Sequence, residues 1–168
     1  VALNYLEQQQ ARFGISMDKI ALMGHSAGAF NIASLLYHPK HYQLAIKQNI
    51  KALIGIAGPY HFDYKDDALA ENAFDQSIPY QQVMPYYFVE KNEVKHYLFL
   101  AENDQIVKAK NSLDFKQQLL EQGNHCEIYT IPKTGHISIM GSVSSLFSRF
   151  YKTRPEIIKV LNEAMKNA

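Results

Sequence analysis

The sequence predicts an α/β protein in which helices cover both faces of a parallel sheet, a three-layer sandwich. Short, continuous apolar runs alternate with longer segments in which apolar residues recur at helical spacing. Continuous apolar runs are typical of strands that are buried on both faces. With 168 residues and 47% hydrophobic content, the chain is long enough for one globular domain with its own core.

The predicted elements alternate along the whole chain. An opening helix stops at Gly14, and the last helix carries Pro155 in its first turn, a position that tolerates proline. In the helix at 110–122, four apolar side chains are expected to be buried: Leu113, Phe115, Leu119 and Leu120. Strands are predicted at 20–23, 51–57, 96–101 and 126–131. Helices are predicted directly after the elbow, ending at His38-Pro39, at 110–122 and in the tail.

The first buried strand ends in Gly24-His25-Ser26-Ala27-Gly28. A serine between a buried strand and a helix is the arrangement of a nucleophile elbow, which strains the serine backbone and exposes its hydroxyl at the sheet edge. We expect Gly24 and Gly28 to lack side chains so that strand and helix can approach each other. The N–H of Ala27 is predicted to donate to an oxyanion formed beside Ser26.

A serine hydroxyl needs a base, and the base needs a carboxylate that orients it. Asp104 follows the third strand and His136 follows the fourth. With Ser26 they should meet at the carboxyl ends of neighbouring strands as a catalytic triad. Two other carboxylates compete for the role of the acid, Glu102 at the end of the third strand and Asp63 after the second.

The remaining histidines are weaker candidates for the base. His25 lies beside the nucleophile and is expected to be packed rather than catalytic. His96 and His125 begin strands and so belong to the wrong edge of the sheet. His38 and His41 flank the end of a helix without a third ligand nearby, so we expect no metal site.

Residues 59–94 form an irregular segment that is rich in aromatic and acidic side chains. Because it leaves a strand near the elbow, it is placed to roof the site, as a cap within a single domain of residues 1–168. Alternatively, its aromatic side chains pack on the sheet, and the sequence leaves both readings open. Four side chains are predicted to line the substrate site: His25, Tyr60, His61 and Phe62.

Four short motifs carry a resemblance to a known group of proteins. They are Gly-His-Ser-Ala-Gly-Ala at the elbow, Ile-Ala-Gly-Pro-Tyr at 56–60, Ala-Glu-Asn-Asp at 101–104 with Val107, and Thr-Gly-His at 134–136. The chain resembles the α/β-hydrolases of the carboxylesterase and arylformamidase-like group, over the carboxyl-terminal part of their fold. The resemblance implies a hydrolase without a cofactor that acts on small-molecule carboxylic esters.

The sequence departs from that group in one respect. Its members carry further amino-terminal strands and a His-Gly-Gly loop with additional oxyanion donors, and neither is found here. The chain also opens at Val1, without a methionine, so we expect it to be the back part of a larger protein. The apolar elbow strand would then have an unpaired edge, which favours pairing with another chain, and a homo-oligomer is expected.

Other functions stay open or are disfavoured. The same triad would serve an arylformamidase, a thioesterase or a peptidase, and a catalytically silent binding module is the alternative from another class. A net charge of +1 gives no reason to expect nucleic acid or a membrane as partner. Cys126 is expected to be a buried apolar residue. A single cysteine and the absence of a signal peptide favour a cytoplasmic location.

Overall fold

The structure, a computed structural model, describes residues 2–39 and 46–166. Within these residues four strands form one sheet in the order β1-β2-β3-β4, so that β1 and β4 are its outer strands. Every pairing is parallel, as predicted. The strands are β1 (Ile20–His25), β2 (Ile50–Ile56), β3 (Lys95–Ala101) and β4 (Cys126–Ile131).

Helices precede β1 and follow β1, β3 and β4, while the segment between β2 and β3 is irregular, as predicted. The opening helical segment ends at Gly14, whose φ of 62° is the left-handed conformation that glycine adopts without strain. The helices are α1 (Ala2–Gln8), α2 (Gln10–Phe13), α3 (Ala27–Tyr37), α4 (Lys110–Glu121), α5 (His136–Gly141) and α6 (Thr153–Lys166). Short 3-10 turns lie at Lys47–Asn49, Tyr80–Gln82 and Pro85–Phe88.

The core has two layers, one on each face of the sheet. Side chains on one face, such as Leu53, pack with α3 and α4. The alternate residues, such as Ile54, pack with α5 and α6 on the other face. Both side chains are fully buried, and such burial contributes about 1.5–3 kcal/mol for each large apolar side chain. The predicted three-layer sandwich is therefore confirmed.

Helix α4 differs from the prediction in which face it buries. Phe115 and Leu119 are fully buried, one helical turn apart. Leu113 and Leu120 were expected in the core, but they are 53% and 50% exposed. Their spacing places them on the opposite side of the helix from Phe115, so they cannot reach the sheet at the same time.

The segment 59–94 divides its aromatic residues between two environments. Tyr60 packs on Phe115 with ring centroids 4.5 Å apart and belongs to the core. Tyr64 and Phe74 stack in a separate cluster that covers the start of α3, where Phe30 meets Phe74 edge-on. The packing interpretation therefore applies to Tyr60, and the prediction that the segment roofs the site stays a prediction.

A buried polar network lies at the amino end of β3, away from the elbow. His96 is fully buried and donates its Nδ1–H to the carbonyl of His125 at 3.0 Å. Its Nε2 accepts from the hydroxyl of Tyr37 at 2.7 Å, and that hydroxyl accepts from the Asn92 amide at 3.0 Å. Burial lowers the pKa of His96 to about 4, although the hydrogen bond to His125 opposes this.

The outer edge of β1 has no partner strand among the described residues. Met23, in the middle of this strand, is 47% exposed. A strand edge of this kind presents free N–H and C=O groups. Over the same residues, no helix combines the length and hydropathy needed to cross a bilayer.

Candidate active site

The turn between β1 and α3 holds Ser26 in a strained conformation. Its φ is 53° and its ψ is −122°, values that L-residues rarely adopt. The backbone N–H of Ser26 donates to the carbonyl of Ile56 at 2.8 Å, and its carbonyl accepts from Ala29 at 2.9 Å. The serine is therefore tied both to the neighbouring strand β2 and to the first turn of α3, as a nucleophile elbow requires.

The two glycines of the elbow have different roles. A Cβ at Gly24 would lie 2.7 Å from the backbone nitrogen of Ala29 and closer still to the carbonyl group of Gly28. A Cβ at Gly28 would meet no described residue within 4 Å. The expectation that both positions need glycine for the approach of strand and helix holds for Gly24 and fails for Gly28, whose backbone, not its Cα substituent, faces the strand.

Three side chains from three loops form a continuous hydrogen-bonded chain. The hydroxyl of Ser26 donates to Nε2 of His136 at 2.9 Å. Nδ1–H of His136 donates to Oδ2 of Asp104 at 2.8 Å. The side chains of His136 and Asp104 are only 9% and 5% exposed. With Nδ1 protonated, Nε2 keeps the lone pair that a general base needs.

The structure separates Asp104 from its competitors for the acid. Oδ1 of Asp104 accepts the N–H groups of Ile106 and Val107, each at 2.9 Å, which leaves Oδ2 for the histidine. The Glu102 carboxylate instead accepts the backbone N–H of Lys133 at 2.9 Å. Asp63 is exposed and accepts a backbone N–H of its own turn.

The loops that carry the acid and the base are joined through their main chains. Asn103 N–H donates to the Thr134 carbonyl at 2.8 Å, and Glu102 N–H donates to the Ile131 carbonyl at 3.2 Å. The Glu102 side chain adds the bond to Lys133, which sits in the left-handed region with φ 60°. These bonds hold the turn before His136 in register with the acid loop.

The triad reaches across the sheet. The sequence placed its members on neighbouring strands, but β2 lies between the serine strand and the acid strand, and β3 separates β2 from β4. Since neighbouring strands are about 4.8 Å apart, β1 and β4 are about 14 Å apart. Ser26 and His136 follow these two outer strands and still meet, so the position of the histidine depends on the contacts of the loop that carries it.

Ala27 begins α3, directly after the serine. Among the described residues its N–H has no hydrogen-bond acceptor, as is usual for the first turn of a helix. The group lies next to the nucleophile and is free to donate to a developing oxyanion.

His25 contacts the histidine of the triad. Its Nε2 donates to the backbone carbonyl of His136 at 2.8 Å, and the two rings lie 4.9 Å apart at an interplanar angle of 42°. His25 was predicted to line the substrate site. Its Nε2 instead bonds to the main chain of the residue that carries the base.

Tyr60 does not reach the substrate site. Its side chain is fully buried against Phe115, and a Cβ at either Gly55 or Gly58 would collide with its ring or hydroxyl. The hydroxyl has no partner among the described residues. The prediction that Tyr60 binds substrate is corrected, because a side chain with no exposed surface cannot contact a ligand.

His61 and Phe62 belong to the roof segment and have partners there. The ring of His61 binds Asp114 of α4 at 2.7 Å and the hydroxyl of Tyr87 at 3.0 Å. It therefore links the roof to α4, and both of its ring nitrogens have partners outside the triad. Phe62 is half-buried and meets Phe74 edge-on, within the cluster that covers the start of α3.

The described residues hold no group of three ligands suited to a metal ion. Cys126 is buried, and burial raises the pKa of its thiol to about 12, which removes it as a nucleophile. Sequence reasoning missed the positioning contacts of His25 and Glu102. Only their places in the chain, next to the nucleophile and next to the acid, could have suggested such contacts.

A family profile described as Peptidase_S9, the prolyl oligopeptidase family, matches residues 2–153. A search of curated proteins finds no match. The profile match and the solved structures described next confirm the predicted resemblance to the α/β-hydrolases.

The fold is similar to solved structures of esterase 2 from Thermogutta terrifontis. The apo form gives a TM-score of 0.73 at 21% identity, covering 96% of this chain and 62% of the esterase. The butyrate-bound form gives 0.72 at 19% identity, with 96% and 62% covered. The form phosphorylated by paraoxon gives 0.61 at 18% identity, with 80% and 50% covered. The chain therefore spans at most 62% of the length of these esterase chains.

Proposed function

Because the chain belongs to the prolyl oligopeptidase family, a family of serine hydrolases, we propose that it hydrolyses carboxylic esters through an acyl-enzyme on Ser26. One observation carries the proposal. The hydroxyl of Ser26, the imidazole of His136 and the carboxylate of Asp104 form an unbroken hydrogen-bonded chain at 2.9 and 2.8 Å. A serine in this arrangement can be deprotonated as it attacks, which an isolated serine cannot.

The first half-reaction forms the acyl-enzyme. Oγ of Ser26 attacks the ester carbonyl while Nε2 of His136 accepts its proton. Asp104 stabilises the imidazolium through Nδ1–H and keeps the ring in the required tautomer. The N–H of Ala27 donates to the oxyanion of the tetrahedral intermediate. The imidazolium then protonates the leaving alkoxide, and the alcohol departs.

The second half-reaction uses the same groups. His136 takes a proton from a water molecule, which attacks the acyl carbon, and the oxyanion again accepts from Ala27. Collapse of this intermediate releases the carboxylic acid and returns the proton to Oγ of Ser26. The histidine must hold its position through both halves of the cycle.

The fold similarity to an esterase with bound butyrate supports an ester with a short acyl group as substrate. The roof cluster of Phe62 and Phe74, beside the first turn of α3, offers aromatic surface for the apolar part of the ester. We place Phe62 there as a substrate contact, while His61 contributes through its link between the roof and α4.

A peptide bond is the second candidate, favoured by the family that the profile describes. The triad chemistry is the same for esters and peptides, so substrates must separate the two. We expect turnover of p-nitrophenyl esters, most rapid at short acyl chains, and little turnover of a p-nitroanilide or an aryl formamide with a matched acyl group. The reverse order of rates would replace the ester proposal with the peptidase or formamidase reading.

Covalent labelling tests the nucleophile directly. Paraoxon, which phosphorylates the similar esterase, should add one diethyl phosphate group to Ser26, identified by peptide mass spectrometry. Ser26→Ala should abolish both labelling and ester turnover with an unchanged unfolding midpoint. Ser145→Ala, at an exposed serine in a turn far along the chain from the elbow, is the matched control and should label normally. A chain that folds but does not label would indicate a silent binding module.

We also propose that the chain self-associates through the outer edge of β1. Support comes from the outer edge of β1, which has no partner strand in the part of the chain that the structure describes, and from the exposed Met23. Light scattering coupled to size exclusion should give a mass above 19.2 kDa, and Met23→Lys should shift it toward that value. A wild-type monomer would end this proposal.

A further inference from the structure

The hydrogen bond between His25 and the main chain of His136 connects the elbow with the start of α5. The triad bond between Ser26 and His136 connects the same two places. Within the described residues, two hydrogen bonds connect His136 to the elbow. One runs from the hydroxyl of Ser26 to Nε2 of the ring, and the other from Nε2 of His25 to the carbonyl of His136. A carbonyl only accepts, so the His25 tautomer at this contact carries its proton on Nε2.

The two bonds differ in what happens to them during a catalytic cycle. When Ser26 is acylated, its oxygen carries no proton and can no longer donate to His136. The bond from His25 involves no reacting atom and remains. In the acyl-enzyme it is thus the contact that still ties His136 to the elbow side of the site.

The other side of His136 is held by the acid loop. Carbonyl groups before it accept the main-chain N–H groups of Glu102 and Asn103, and the Lys133 N–H donates to the Glu102 carboxylate. Asp104 holds its ring. That side is anchored on β3, whereas the acyl group sits at the end of β1, two strands away. These contacts, together with α5, which begins at His136, fix the base relative to β3 and β4. Without the bond to the elbow, the base can shift relative to the acyl carbon that its water must reach.

We infer that His25 is a positioning residue for deacylation, keeping His136 in register with the acylated serine. The inference rests on the proposed acyl-enzyme mechanism. A displacement of about 1 Å in such a group costs about 10²-fold in rate. Loss of the His25 bond is therefore expected to slow hydrolysis of the acyl-enzyme by about 10-fold or more, and its formation by much less, because the free Ser26 hydroxyl still holds the ring.

Three variants separate the hydrogen bond from the packing of the ring. His25→Phe keeps a ring against His136 and removes the donor. His25→Gln places an amide N–H close to the position of the imidazole Nε2. His25→Asn is polar but too short to reach the carbonyl. We expect the Phe and Asn variants to hydrolyse the acyl-enzyme more slowly. The Gln variant should hydrolyse it within about threefold of the wild-type rate. If His25→Phe fails to fold, the comparison of Asn with Gln still decides.

Stopped-flow measurement with a p-nitrophenyl ester resolves the two steps. In His25→Phe and His25→Asn, we expect a burst of p-nitrophenol of full amplitude followed by a slower steady state, with kcat and KM reduced together and kcat/KM nearly unchanged. A purely structural role would lower kcat/KM or the unfolding midpoint instead, and would not be rescued by His25→Gln.

The outcomes separate a failure of the inference from a failure of the proposed function. If the wild-type chain shows neither a burst nor paraoxon labelling at Ser26, the proposed function fails and the inference with it. If the wild type forms the acyl-enzyme and the Phe and Asn variants hydrolyse it at the wild-type rate, the inference alone is overturned. If acylation and deacylation slow equally in all three variants, His25 acts through packing, and the inference is overturned as well.

Discussion

Gly24→Ala should damage the elbow, because the added methyl group has no space. The Cβ would lie 2.7 Å from the backbone nitrogen of Ala29 and closer still to the Gly28 carbonyl. Ordinary contact begins at 3.4 Å, so β1 and α3 would have to separate by about 1 Å. The obstructing atoms belong to the main chain, and no change of rotamer can relieve the clash.

Two effects follow from that separation. Overpacking typically costs 1–3 kcal/mol, and a clash with the backbone belongs at the upper end, so we expect a loss of about 3 kcal/mol in the free energy of unfolding. The separation also moves Ser26, which joins the two elements. A shift of about 1 Å in a reacting group lowers the rate by about 10²-fold, so the rate of paraoxon labelling should fall by about that factor.

Gly28→Ala is the matched control. The same methyl group at this position meets nothing within 4 Å. Gly28 is the second residue of α3, where replacing glycine by alanine should raise the free energy of unfolding by up to about 1 kcal/mol. Urea denaturation of both variants measures the contrast. Equal losses in the two variants, or wild-type stability in Gly24→Ala, would show that the elbow is not held by this contact.

Three further predictions concern Tyr60, the acid of the triad and the buried His96. Tyr60→Phe removes a buried hydroxyl that has no partner within residues 2–39 and 46–166. It should raise the free energy of unfolding by up to about 1 kcal/mol and leave ester turnover unchanged, whereas lost turnover would return Tyr60 to the substrate site. Asp104→Asn should lower kcat by about 10⁴-fold. Glu102→Gln keeps an oxygen for the Lys133 N–H, and its kcat should stay within about threefold of wild type. Similar losses of kcat in the two variants would contradict the choice of acid. Burial lowers the pKa of His96 from 6.5 to about 4, so its contribution to stability is complete above pH 6.5 and is lost as the pH falls toward 4, by up to about 3 kcal/mol. His96→Gln should therefore lose less stability than wild type between about pH 7 and pH 5 in urea titrations, and parallel losses would refute the reasoning.

Much of the fold could be predicted because buried strands need continuous apolar runs. The fourth strand was predicted at the bounds that the structure gives, and the second and third within one residue. Helix α4 shows the limit of such reasoning. Its apolar residues lie on two sides, and only contact with the sheet selects Phe115 and Leu119 over Leu113 and Leu120. Periodicity alone does not say which of two apolar faces is covered.

The candidate site divides in a similar way. The reacting side chains could be predicted, because nucleophilic catalysis restricts the residue types and α/β folds restrict their places to the ends of strands. Tyr60 and Phe62 are neighbours in one aromatic segment, yet one enters the core and the other stays half-buried in the roof. Small residues at Gly55 and Gly58 make the space for Tyr60, a complementarity that is visible only in three dimensions.

The contacts that position the triad depend on main-chain groups. Oδ1 of Asp104 accepts two backbone N–H groups, the Glu102 carboxylate accepts one, and His25 donates to a backbone carbonyl. Every residue type except proline offers the same two groups, so nothing in the sequence marks which carbonyl or N–H will be the partner. A catalytic side chain is recognisable because its chemistry requires a particular residue. A positioning side chain in this site is recognisable only once the fold shows which loop backbone lies beside it, which is why the sequence predicts His25 as a substrate contact.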